Sequence, residues 1–207
     1  MRSIRKNVVF GVLLAGVSLV ARAADLDYFP WTQGTEWVYN TIDKKEKNSF
    51  EMKVVMEGPW DADGDSGMIM TQKDKRGKMR QFLLKTEKGI LAKKLGLSKT
   101  LTPEINTRFT PNLPMVIFPL TPGTTVHWEG NLKVTGIMNK SIVLDGSVVG
   151  WEDLSVPAGK FHCIKLHLHQ KRDKDIIDED VWYAEGVGQV KYDGGQYIKE
   201  LKSYQIK

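Results

Sequence analysis

The chain has 207 residues and a formal net charge of +5, a balance that would by itself invite a nucleic-acid partner. Four of its basic residues (Arg2, Arg5, Lys6, Arg22) fall in the first 23 positions, where no acidic residue stands, so the rest carries twenty-six basic against twenty-five acidic side chains and nucleic acid is excluded as the expected partner. Cys163 is the only cysteine, which excludes an intramolecular disulfide.

Residues 1–23 read as a secretory signal peptide: basic residues precede an apolar run from Val8 to Val20, and Ala21-Arg22-Ala23 supplies a small-residue cleavage site. The run is shorter than the about 20 residues that span a bilayer. Cleavage after Ala23 would leave Ala24 where a lipid-anchored bacterial protein needs Cys, so no stable membrane anchor is expected and the product is periplasmic or secreted. Residues 24–207 are expected to form a single β domain.

Pro30 and Gly34 punctuate a turn before Trp37-Val38-Tyr39, which opens a strand. Phe50, Met52, Val54 and Met56 alternate with polar residues and form its return, ended by Gly58-Pro59. Asp61, Asp63 and Asp65 match the first acidic positions of a calcium loop, but Ser66 and Gln72 stand where Gly and Glu are required, so a plain turn is expected. Short strands follow at Met68–Thr71, Met79–Lys85 and Ile90–Leu95. Five prolines between Leu101 and Pro122 predict a strand-free crossover over 101–117. The segment F-P-L-T-P-G-T at Phe118 echoes F-P-W-T-Q-G-T at Phe29, which suggests two similar halves, 24–100 and 118–207.

Strands are then expected over Asn131–Met138, Ser141–Leu154 and Lys160–Lys171, with turns at Asn139-Lys140 and Pro157-Ala158-Gly159. Val181–Tyr192 forms a further arm, and Asp193-Gly194-Gly195 turns into a last strand, Gln196–Ile206. Turn signals every 8–12 residues with little 3.6-residue periodicity predict an all-β fold, an antiparallel meandering sheet curved into a half-barrel or barrel.

Three motifs carry a family resemblance: F-P-x-x-x-G-x-x-W (Phe29 to Trp37), V-P-A-G-x-F (Val156 to Phe161) and W-Y-A-x-G-V-G-x-V (Trp182 to Val190). They resemble bacterial exported domains of unknown function, which are similar to the half-barrel of the lipoprotein carriers LolA and LolB. The resemblance implies an antiparallel sheet curved around a hydrophobic cavity. It assigns no catalytic residue.

Three residue sets are candidates for chemistry. His167 and His169 share a strand face, but Cys163 lies about 13 Å before His167 along the strand and cannot join them, so no metal or cofactor is assigned. Asp178, Glu179 and Asp180 fall beside Asp173 and Asp175 in what reads as a charged hairpin tip, which leaves an envelope hydrolase as the competing class. Aromatic residues are the richest supply, and Trp37, Trp128, Trp151, Trp182 and Tyr183 are the candidate lining of a pocket. The expected function is non-catalytic binding of an apolar or lipid-like ligand or of an envelope protein partner. A structural protein without ligand, its interior filled, is the remaining alternative.

Overall fold

The computed structural model describes residues 28–62, 64–99, 102–134 and 136–207. The expected signal peptide lies outside them. Twelve strands follow one another: β1 (Glu36–Asp43), β2 (Asn48–Ala62), β3 (Asp65–Asp74), β4 (Gly77–Thr86), β5 (Gly89–Ser98), β6 (Ile105–Ile117), β7 (Thr125–Val134), β8 (Met138–Val156), β9 (Gly159–Arg172), β10 (Asp175–Ala184), β11 (Gly188–Gly194) and β12 (Tyr197–Gln205). Each pairs antiparallel with its chain neighbours, and β1 also pairs with β12, from Glu36 opposite Gln205 to Asp43 opposite Tyr197. The sheet therefore closes into a barrel, which sets aside the open half-barrel.

Alternation decides which side chains go inside. On β9, Ile164, Leu166, Leu168 and Gln170 are buried, while Lys165, His167 and His169 point outward. On β1, Trp37, Tyr39, Thr41 and Asp43 are the buried set. The interior is continuous with two apolar clusters, one centred on Ile90, Ile142, Leu144, Ile164 and Leu166, the other on Trp37, Met56, Val190 and Leu201. Burial of these side chains is the main favourable contribution to the fold, about 1.5–3 kcal/mol for each large aliphatic residue.

One end of the barrel is sealed by the two F-P-x-T-x-G-T segments. Gly34 and Gly123 both take positive φ, +84° and +90°. Each turn docks on the following hairpin in the same way. The Gly34 amide donates to the Met56 carbonyl (2.9 Å) and the Met56 amide to the Thr35 carbonyl (2.9 Å); Gly123 donates to Val148 (2.9 Å) and Val148 to Thr124 (2.8 Å). A β-bulge follows at Met56/Gly58 on β2 and at Val148/Gly150 on β8. Tyr28 and Leu120 are buried against the first cluster, and Phe29 and Trp31 pack against both.

The structure corrects several boundaries. The Pro-rich stretch expected as a crossover over 101–117 contains β6. Among the described residues β6 pairs with β7 only over Thr107–Thr110, so Pro111 and Pro114 fall where that side of the strand has no ladder for a missing N–H to interrupt. Gly58-Pro59 does not end β2; the bulge lets the strand continue to Ala62. Asn139 and Lys140 lie in β8, the turn before it falling at 136–137. Asp178, Glu179 and Asp180 are not at a hairpin tip but within β10, opposite His169, Leu168 and His167.

Two glycines separate conformational strain from steric clash. At Gly123 a Cβ would meet nothing within 4 Å, so Gly123→Ala should cost only the positive φ, about 1 kcal/mol. At Gly89 (φ +140°) a Cβ would stand 2.0 Å from the Val116 carbonyl oxygen, forcing β5 and β6 apart. Gly89→Ala should therefore cost at least about 3 kcal/mol, read as the difference in denaturant midpoint at constant slope.

Candidate functional site

The barrel is not filled. An interior cavity of about 560 Å³ lies above the sealed end, with Phe29 in its floor and walls from Leu83, Phe109, Leu144, Leu168 and Val181. It is continuous with a second space of about 590 Å³ between the β3/β4 and β5/β6 turns and β12, and the two share Gln72, Met79, Leu97 and Lys199. The cavity thus opens at the end opposite the F-P turns.

Polar side chains interrupt the apolar wall toward this mouth. Gln81, Gln170 and Thr107 are buried there, and Gln72 Nε2 donates to Gln81 Oε1 at 3.3 Å. Four ionisable groups complete the lining. Tyr192 donates its hydroxyl to Glu179 Oε1 at 2.5 Å, and burial together with that carboxylate raises the phenol far above its ordinary range. Arg172 donates through Nε to Gln170 Oε1. The Lys199 ammonium sits 4.8 Å from the centroid of the Tyr192 ring. Burial within the barrel pulls the Lys199 pKa down to about 8, against a smaller opposing pull from Glu179. Neither Arg172 nor Lys199 has an ion-pair partner among the described residues. Two cations therefore share the cavity with one carboxylate, already hydrogen-bonded.

Of the five expected lining residues only Tyr183 faces the cavity. Trp37 is buried at the sealed end, where its Nε1 donates to the Val187 carbonyl at 2.6 Å. Trp128 lies over Gly130 in the core, its ring occupying the space a Cβ there would need. Trp182 pairs across the sheet with Lys165 and Lys191 and shares their face; their ammonium groups lie 4.9 and 5.7 Å from its ring, and its Nε1 donates to Glu152 Oε2 at 2.7 Å. Trp151 is 45% exposed and stacks on His162 at 5.0 Å. Size and apolarity did not select the lining: strand parity and height in the barrel did.

The outer wall accounts for the other candidates. Each histidine is matched by an aspartate on a neighbouring strand: His167 with Asp180 (2.7 Å), His169 with Asp178 (2.7 Å), His162 with Asp153 (2.6 Å) and His127 with Asp145 (2.6 Å). Among the described residues no cluster of three or more His, Cys, Asp or Glu could hold a metal ion. Burial pushes the Cys163 thiol up to about 11, so it is protonated at neutral pH and a poor nucleophile. Asp178 and Asp180 face away from the cavity, so the two-carboxylate arrangement of a glycoside hydrolase does not form there.

The polar lining was missed because no motif marks it, yet parity carried a signal. Gln170 and Arg172 continue the inward series of Leu166 and Leu168, and Lys199 shares the face of buried Leu201.

A part-buried lysine with no ion-pair partner, only partly offset by Glu179, costs the empty protein stability. Because the Lys199 pKa is lowered from 10.5, the folded state binds fewer protons than the unfolded state between pH 8 and 10.5; the cost is complete below pH 8 and is relieved as pH rises through that window. Lys199→Met should therefore stabilise the ligand-free protein at pH 7 by about 1–3 kcal/mol. The advantage over the native protein should shrink toward pH 10, as followed by thermal unfolding across pH.

No family model matches the chain, and no curated protein matches it. Among solved structures it is similar to one described as a "putative lipoprotein" from Parabacteroides distasonis, with a TM-score of 0.53 and 16% identity over 86% of this chain and 98% of the other. It is also similar to a "putative exported protein with YmcC-like fold" from Bacteroides fragilis, with a TM-score of 0.51 and 14% identity over 86% and 98%. At these identities the likeness is one of fold: this chain shares the architecture of those proteins.

Proposed function

We propose that the protein is a non-catalytic binding protein working outside the cytoplasm, whose barrel takes up the apolar chain of an amphiphile and holds its anionic head at Lys199 and Arg172. The observation that carries this reading is the cavity itself. Its volume falls in the range of ligand-binding pockets, about 300–1,000 Å³; its floor is apolar, and among the described residues its lining carries two cations, Arg172 and Lys199, against the single carboxylate of Glu179. Without a ligand, Lys199 has only the Tyr192 ring and the pull of Glu179 to offset its partial burial, and no ion-pair partner among the described residues. An anionic head supplies the missing counter-charge.

The compartment is supported by the signal-like residues 1–23 and by the names "lipoprotein" and "exported protein" borne by the two structural relatives. A lipid-like ligand also agrees with the resemblance to lipoprotein-carrier barrels. An interior of this size counts against a purely structural protein with a filled core.

The test uses a dansyl-labelled fatty acid and the matching fatty alcohol. The acid should bind with a blue-shifted emission and the alcohol more weakly. Replacing both cations (Lys199→Met with Arg172→Met) should weaken the acid by about 10- to 100-fold, since a charged hydrogen bond contributes about 1.5–3 kcal/mol, and leave the alcohol unchanged. No binding of either probe would overturn the reading. Equal binding of both, insensitive to the double replacement, would refute the assignment of the cations.

A further inference from the structure

The two ends of the barrel differ in charge as well as in closure. The six turns at the open end, within 43–47, 73–78, 99–104, 133–140, 171–175 and 193–199, hold fourteen lysines and arginines against seven carboxylates. The five turns at the sealed end, within 57–66, 85–88, 118–124, 152–160 and 184–187, hold three basic residues against eight carboxylates. The chain as a whole is close to neutral once residues 1–23 are set aside, so the asymmetry lies in placement. Such a barrel presents its mouth to a negatively charged surface and turns its sealed end away.

The same end carries exposed aliphatic side chains. Leu97 (43% exposed) and Ile105 (47%) flank the β5/β6 turn, Ile137 (63%) and Met138 (43%) the β7/β8 turn, and Ile176 (61%) the β9/β10 turn. These turns are consecutive around the rim, so the five side chains form one arc. Lys99, Lys133, Lys171 and Lys174 lie along it with no ion-pair partner among the described residues, while Lys140 pairs with Asp173 at 3.0 Å. Leu97 and Met138 also line the cavity, so the apolar lip runs without a break into the interior.

From these two observations we infer that the mouth is a docking face for an anionic lipid bilayer, the aliphatic arc entering the interface and the lysines resting on the head groups. Aliphatic side chains at adjacent turn tips with interspersed lysines are the residue chemistry of an interfacial membrane contact. Exposed aliphatic residues scattered singly are ordinary, but five along one arc of turns form a patch. The outer wall, with its cross-strand His–Asp and Lys–carboxylate pairs, stays in water. The contact is peripheral. The inference stands on the rim alone and does not need the cavity to be occupied.

Vesicle co-sedimentation tests it on the chain beginning at Ala24, which keeps every described residue and lacks the apolar run that would bind lipid by itself. The protein should pellet with vesicles containing phosphatidylglycerol, not with phosphatidylcholine alone, and the binding should fall in high salt. Ile137→Ser combined with Ile176→Ser, both at exposed tips and expected to leave the melting temperature unchanged, should weaken binding about tenfold or more, and so should Lys133→Glu combined with Lys174→Glu. Val149→Ser, at an exposed aliphatic off the mouth rim, should have no effect. Failure to bind anionic vesicles would overturn the inference. Binding lost in salt but indifferent to the isoleucine pair would overturn it too, because it would mark a basic collar that attracts any polyanion. Vesicle binding without fatty-acid binding would sink the proposed ligand and leave the docking face intact; the reverse result would do the opposite.

Discussion

Closure of a twelve-stranded antiparallel sheet decides most of what this protein can do. A barrel of about eight strands is just wide enough for its own side chains to fill, whereas one of about sixteen leaves a water-filled channel. Twelve strands fall between. The chain meets that geometry by sending the two F-P turns inward at one end, where Tyr28, Phe29, Trp31 and Leu120 join the core, and by leaving the other end open. Closure gives every strand two neighbours, and where β6 runs past its pairing with β7, Pro111 and Pro114 stand on the open side and leave fewer donors for another chain.

The site follows from where that filling stops. Inward positions are mostly aliphatic and aromatic through the lower and middle barrel, and Gln, Thr, Arg, Glu, Tyr and Lys join the apolar side chains toward the mouth. Gln72 donates to Gln81 there, and Tyr192 satisfies Glu179, but among the described residues Arg172 and Lys199 have no ion-pair partner and share the one carboxylate of Glu179. Partial burial of a cation without an ion-pair partner is costly, which is why an anionic group is proposed there. Mouth polarity and rim chemistry point the same way: an apolar chain could pass from a lipid surface over Leu97 and Met138 into the barrel without crossing water.

How much of this was legible before the structure differs from element to element. The alternation of Ile164, Leu166 and Leu168 with Lys165, His167 and His169 is local, and it fixed both the strand and its inner face. The turns at Gly34, Pro157-Ala158-Gly159 and Asp193-Gly194-Gly195 were equally legible, because a positive φ is a property of one residue, whereas Gly58-Pro59 lies at a bulge inside β2. Legibility failed wherever the outcome depended on a neighbouring strand. Pro111 and Pro114 seemed to forbid a strand, since their tolerance rests on β7 ending its pairing at Thr110. Asp178 and Asp180 read as a solvated tip because their partners His169 and His167 come from across the hairpin, and Trp182 read as pocket lining because its covering lysines come from β9 and β11.

By itself, then, the sequence determined the strand periodicity, the turns at Pro157-Ala158-Gly159 and Asp193-Gly194-Gly195, the all-β class and the presence of two matching F-P turns, all of which are written in spacings of two to seven residues. Only the tertiary structure decided that the sheet closes on itself, that its interior stays hollow, that Arg172, Glu179, Tyr192 and Lys199 line one cavity, and that basic and aliphatic tips gather at one end. These depend on register between strands up to about 170 residues apart, from Glu36 to Gln205. Register is a sum over many cross-strand contacts, and no short stretch of chain contains it.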